Sequence, residues 1–167
     1  MVNAPARHLP DEARVWKELA QIADPEIPVL TLVDMNVIRH LVVENDRATV
    51  VISPTFVGCP AMDLIRDEIR SRLTALGIST VDIKTTFSPP WSTAMLTEEV
   101  REKLRSFGIA PPPPLQSDLL TTLSLPVACP YCGAEHTTLE NPFGSTLCKQ
   151  IFYCESCRQS FERFKPL

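Results

Sequence analysis

Between residues 62 and 76, apolar side chains recur at Met62, Ile65, Ile69, Leu73 and Leu76, with charged residues between them. That three-and-four spacing puts them on one face of a helix. Pro60 suits its first turn, and Gly77 suits the position just past its end. Val15, Leu19 and Ile22, with Trp16 beside them, predict an earlier helix opened by Pro10-Asp11-Glu12, whose acidic residues suit a helix N-terminus. Leu96, Val100, Leu104 and Phe107 predict a third helix that stops at Gly108. Elsewhere the apolar period shortens. Val37 to Val43 and Ala48 to Ser53 read as two strands of a hairpin turned by Glu44-Asn45-Asp46-Arg47, and Val81, Ile83, Thr85 and Phe87 alternate as a third strand. Ser88-Pro89-Pro90-Trp91 reads as a rigid loop.

The predicted order is α-β-β-α-β-α. It indicates an α+β domain, a small mixed sheet with helices on one face, spanning residues 11–110 after a disordered tail at 1–10. Residues 111–126 form a proline-rich linker whose Pro111 to Pro114 make a stiff spacer, expected to hold the C-terminal region at a distance. Residues 127–167 form a second, small β domain.

With 167 residues, the chain has room for one ordinary domain and one small one. Its net charge of −4 argues against general binding to nucleic acid or to an anionic membrane surface. Within residues 111–167, Lys149, Arg158, Arg163 and Lys165 face five acidic residues, a poor phosphate footprint. No stretch approaches the ~18 apolar residues of a membrane span, and the first ten residues carry no secretory signal. Six cysteines in such a chain point to metal binding in a reducing cytoplasm.

Four of the six form two Cys-x-x-Cys turns: Cys129-Pro130-Tyr131-Cys132, then 21 residues, then Cys154-Glu155-Ser156-Cys157. Each turn aims two thiolates at one point, so the pair makes a closed S₄ site of the zinc-ribbon kind, with one structural Zn²⁺. Two disulfides, or iron on the same four thiolates, are the alternatives. A domain of some 40 residues buries too little surface to fold on packing alone, so the metal should supply much of its stability. Cys148, between the turns, reads either as a buried thiol or as a reactive thiol or spare ligand. His136 reads as a surface residue.

Two loops carry the remaining chemistry. Ser53 to Pro60 leaves a strand and enters a helix, placing Cys59 at or beside the N-cap. Free N–H groups and the helix dipole there should lower its thiol pKa. Asp24-Pro25-Glu26-Ile27-Pro28 displays two carboxylates on a path fixed by two prolines. No phosphate-binding Gly-rich loop, Gly-x-Ser-x-Gly elbow or His-Glu-x-x-His accompanies them, and His40 sits in a predicted strand. A self-contained enzyme is therefore not expected.

Asp24-Pro25-Glu26-Ile27-Pro28, Val33-Asp34-Met35-Asn36-Val37 and Thr55-x-x-Gly58-Cys59-Pro60 together resemble the iron–sulfur-assembly domain shared by SufT-like and cytosolic Fe–S targeting proteins. Pro89-Pro90-Trp91-Ser92-Thr93, Gly108-Ile109-Ala110-Pro111-Pro112 and the ribbon narrow the match. The whole chain from about residue 11 is similar to the PaaD-like accessory proteins of the bacterial phenylacetyl-CoA epoxidase system. The resemblance implies a non-catalytic role in phenylacetate catabolism: maturing or delivering an Fe–S or other metal centre to the reductase or oxygenase component. Cys59, Asp24, Glu26 and Thr55 match the cluster-handling motifs, and a transient Fe–S cluster or iron is the implied cargo. Cys59 of a second chain could supply a further ligand, as a homodimer would. A structural or regulatory subunit of the epoxidase complex is the alternative. Met35-Asn36 departs from the Leu-Gly of the wider family and puts the shape of that turn in question.

Overall fold

A computed structural model of the chain describes residues 10–113 and 126–166. Residues 1–9 of the expected tail and most of the expected linker, 114–125, lie outside the described residues, while Pro10, the last residue assigned to the tail, is buried.

Helix α1 spans Glu12–Leu19, with the Asp11 carboxylate accepting from the Arg14 backbone N–H and capping its first turn. Ile22 falls just beyond the helix but is still buried. Strands β1 (Ile38–Glu44) and β2 (Arg47–Ile52) pair antiparallel around a turn in which Asn45 has φ 57°. Helix α2 (Met62–Ala75) buries Met62, Ile65, Ile69 and Leu73, the stripe read from the sequence, and crosses over to β3 (Thr80–Thr85), which lies parallel to β2. The order β1-β2-β3 with one antiparallel and one parallel pairing is the predicted mixed sheet. Helix α3 spans Glu98–Ser106, shorter than expected, because Thr97 caps it and a separate 3-10 turn at Thr93–Met95 precedes it. Two residues assigned to apolar faces stay exposed: Phe87 lies past the end of β3, and Phe107 is the C-cap of α3.

The first core joins Leu41, Val50 and Ile52 of the sheet to Ile69 and Leu73 of α2, Val15 and Leu19 of α1, and Leu104 of α3, all at most 2% exposed. Loop residues complete it. The Trp91 indole N–H donates to the Met35 carbonyl at 2.6 Å, tying the Ser88–Trp91 loop to the Val33–Val37 segment.

The second sheet has the order β4-β7-β6-β5, with β5 at Thr137–Asn141, β6 at Lys149–Cys154 and β7 at Gln159–Phe164. Strand β4 is Ile109–Ala110, a continuation of the first domain that pairs parallel with β7. It reads as no element in the sequence, because two residues carry no period. The ribbon is not held at a distance. Phe164, fully buried, and Cys148 belong to the core of the first domain, and the Trp91 and Phe164 ring centroids lie 5.9 Å apart. The Arg101 guanidinium, largely buried, donates to the Thr93 and Pro112 carbonyls and pins the start of the proline run to α3. Packing across the interface, which no local pattern encodes, overrides the reach of the spacer.

Candidate functional site

The two prolines of the 24–28 loop set its path, and Asp24 closes it. One carboxylate oxygen of Asp24 accepts the backbone N–H groups of Glu26 and Ile27 at 2.9 and 2.8 Å, while its own N–H reaches the Leu30 carbonyl at 2.8 Å. This Asx-type turn buries Ile27 and Leu30 beneath it and leaves Asp24 only 8% exposed. Burial pushes the Asp24 carboxyl up, against the pull of those two N–H groups. Beyond it, Asn36 has φ 50°. Asparagine tolerates the left-handed region, so the turn that Met35-Asn36 put in question is made without glycine.

Cys59 sits in the loop after β2, behind Gly58 at φ 88°. Helix α2 begins at Met62, and its N-cap is Ala61, without a side-chain cap. Cys59 is therefore ahead of the helix end, half-buried against the first core. Its thiol is pushed up, not down. Burial is the largest cause, and the charges of Glu26 and Asp24 add to it, while the Ala61 N–H pulls the other way. The expected acidic thiol fails because two facing carboxylates and desolvation outweigh one backbone dipole.

Asp24, Glu26, Thr55 and Cys59 line one cavity, so the structure brings these sequence candidates together. The enclosed space is about 10 Å³, room for about one water. Ile27, Met35, Val37, Pro54, Met62 and Ile65 of the first domain complete its wall, and the ribbon adds one residue, Cys148. Cys148, 3% exposed, turns its Sγ toward a Glu26 carboxylate oxygen at 3.6 Å and lies 3.1 Å from the Thr146 hydroxyl. Burial pushes its thiol up to about 11, and Glu26 adds to the shift. Sequence reasoning left Cys148 open between a packing thiol and a spare ligand. Its placement depends on docking 122 residues away from Glu26, which no motif signals. Lys149, next in the chain, is buried with its ammonium 3.0 Å from Glu162.

The four ribbon cysteines form a second group. Their sulfurs all lie within 4.8 Å of one another, with Cys129–Cys157 at 3.7 Å and Cys132–Cys154 at 3.6 Å. A disulfide needs about 2.05 Å, so all six cysteines are free thiols. Tetrahedral Zn²⁺ with Zn–S near 2.3 Å sets sulfurs about 3.8 Å apart, so the donor set fits that ion. The Cys157 N–H donates to the Cys154 sulfur at 3.5 Å, which favours its thiolate form.

Comparison with known proteins finds two family models along the chain. Residues 12–83 match the family model of an iron–sulfur cluster assembly protein, and residues 114–165 match the PaaD zinc beta ribbon domain. An Escherichia coli (strain K12) protein, provisionally named as a subunit of 1,2-phenylacetyl-CoA epoxidase, is 38% identical over 93% of each chain. The chain belongs to the PaaD family. An Fe–S protein maturation auxiliary factor of Porphyromonas gingivalis is 34% identical over 58% of this PaaD-family chain and 92% of its own. For the fold alone, a DUF59 domain of Bacillus anthracis covers 56% of this chain and 90% of its own, with TM-score 0.51 and 21% identity. A conserved hypothetical protein of Thermotoga maritima covers 57% and 95%, with TM-score 0.50 and 22% identity. The PaaD resemblance read from the motifs and ribbon spacing is borne out. Among the described residues, no helix is long and apolar enough to cross a membrane.

Proposed function

We propose that this chain is a non-catalytic accessory protein of aerobic phenylacetate degradation, which matures or delivers an Fe–S or other metal centre to the reductase or oxygenase of a phenylacetyl-CoA epoxidase in the cytoplasm. The observation that carries the reading is the meeting of Cys59 with Asp24 and Glu26 in one small cavity of the assembly-type domain. A half-buried thiol beside two carboxylates can take a thiophilic cation. One thiol cannot hold an Fe–S cluster, since such clusters usually take four protein ligands, so any cluster bound here is shared and releasable. The names of the two curated relatives, an epoxidase subunit and an Fe–S maturation factor, agree with this role. In the ribbon, Cys129, Cys132, Cys154 and Cys157 hold one structural Zn²⁺, and with all four positions filled that ion has no open site for catalysis.

The test is to make the reductase beside native chain or Cys59→Ser and to measure iron and sulfide per reductase. The variant should keep its fold and one zinc per chain while the reductase becomes cluster-deficient. Equal cluster content would remove the maturation role and leave a structural or regulatory subunit of the complex.

A further inference from the structure

We infer that Cys148 of the ribbon is a ligand of the Cys59 cavity, so that the two domains jointly hold a single thiophilic divalent cation on Cys59, Cys148 and the carboxylates of Glu26 and Asp24. The inference rests on the reading of that cavity as a metal-handling site. Two thiols and two carboxylates converge there from three separate stretches of chain, and the Cys148 sulfur stands between the Thr146 hydroxyl and a Glu26 carboxylate oxygen. Burying that many groups of anionic character together is costly unless a cation joins them. Lys149 acts on Asp24 and Cys148 only through its charge, because its ammonium is ion-paired with Glu162 at 3.0 Å. Thiolate and carboxylate donors together suit a borderline-soft ion such as Fe²⁺ or Zn²⁺. About 10 Å³ admits one ion and excludes a preformed cluster unless the ribbon lifts.

Among the described residues, only the ribbon cysteines bring three or more ligand atoms within 4.8 Å of one another. The cavity site therefore closes by rotation of the half-buried Cys59 and Glu26 side chains, and it binds more weakly than the ribbon. On binding, the two thiols form two metal–sulfur bonds and release two protons to solvent.

The full chain with zinc in the ribbon can be titrated anaerobically with Co²⁺, which binds such sites less tightly than zinc and leaves the ribbon filled. One Co²⁺ per chain should bind beyond the zinc, with thiolate-to-cobalt charge-transfer absorption of two-thiolate intensity. Cys148→Ser and Cys59→Ser should each halve that intensity and weaken binding by roughly tenfold or more, since even outer-sphere partners of a metal cost 10–100-fold. Zinc content should remain one per chain in all three proteins. No Co²⁺ binding by the native chain, or one-thiolate intensity, would overturn the assignment without recourse to any variant. So would unchanged binding by Cys148→Ser. A reductase starved of cluster by Cys59→Ser alone, without a cobalt site, would keep the maturation role and sink only this inference.

Discussion

The ribbon and the Cys59 cavity both gather thiols, and they do so in opposite ways. Two short turns of one sheet bring the four ribbon sulfurs within 4.8 Å of one another. The cavity draws Asp24 and Glu26 from one loop, Cys59 from another and Cys148 from the other domain, and its donors stand apart. A closed set of identical ligands favours permanence. A mixed set that must move to close favours exchange. The ribbon contributes to both, since it gathers its own four cysteines and places Cys148, just before β6, at the cavity.

Removing the ribbon metal should have the largest effect. The ribbon's own buried cluster is Ala110, Val127, Cys129, Phe152, Cys154 and Phe161, of which two are ligands. Structural zinc in such peptides carries an apparent ~10–16 kcal/mol, comparable to the whole stability of an ordinary domain. Cys154→Ser should therefore unfold residues 127–166, read as collapse of their amide dispersion in NMR and as proteolysis confined to that region. Because Phe164 and Cys148 sit in the first core, that core should weaken as well, without losing its fold. A ribbon that stayed ordered without metal would erase the contrast between the two sites.

Next in size is the docking of the ribbon on the first domain. Phe164→Ala removes a fully buried ring that faces Trp91 and should cost about 3–5 kcal/mol in urea unfolding. Zinc should remain bound. Trp91 emission, read in a Trp16→Phe background, should shift to the red as water reaches the indole. A loss below ~1 kcal/mol would mean that the ribbon is not held by this contact.

These sites differ in how far the sequence discloses them. The ribbon is fully local. Cys-x-x-Cys spacing names its four ligands, and the structure gathers those four. The stripe of α2 and the β1–β2 hairpin are legible for the same reason, since period and turn chemistry act within a few residues. Asp24, Glu26, Thr55 and Cys59 are legible only through resemblance to a family, because their convergence depends on the packing of loops. Three features escape altogether: the strand Ile109–Ala110, the docking of Phe164, and Cys148 at the cavity wall. Each is decided between domains. The Cys59 thiol misleads for a related reason. The helix start lies close in sequence, whereas the carboxylates that oppose it come from a loop some 35 residues away.

That opposition can be measured as reactivity. With its thiol pushed up by burial and by Glu26 and Asp24, Cys59 carries less thiolate at neutral pH than a free cysteine does. In the zinc-loaded chain, iodoacetamide should label Cys59 more slowly than a small-molecule thiol at the same pH. Glu26→Gln should raise the rate, since it removes one of the charges that oppose the thiolate. Labelling faster than the free thiol would restore the helix-start reading and take the carboxylates out of the account.

The smallest expected effect concerns the stiffness of the cavity wall. Asp34 fixes the far end of the Asp24 loop. Its carboxylate accepts the Thr31 backbone N–H at 3.0 Å and meets the Lys103 ammonium of α3 at 3.1 and 3.2 Å. Burial pushes the Asp34 carboxyl up, but the bonds from Thr31 and Lys103 outweigh it, and the net shift is downward. A carboxyl depressed in the folded state adds stability above its unfolded value of about 3.9, and that stability fades as pH falls through the folded value. Lys103 is more than one-third exposed, so solvent screens the pair and its worth is at most about 1 kcal/mol. Asp34→Asn should therefore lower the urea midpoint slightly at pH 7, and native and variant midpoints should converge as pH drops below about 4. Raised salt should shrink the pH 7 difference, because exposed ion pairs are screened. The cavity's own carboxylate behaves oppositely: Asp24 is raised, so its ionisation subtracts stability as pH climbs through the range between its unfolded and folded values. A difference between native and Asp34→Asn that persisted unchanged into strong acid would show that the loop is held by its backbone turns alone. The cavity wall would then owe nothing to the Asp34–Lys103 pair, and its stiffness would come from the core residues that line it, such as Met35, Met62 and Ile65.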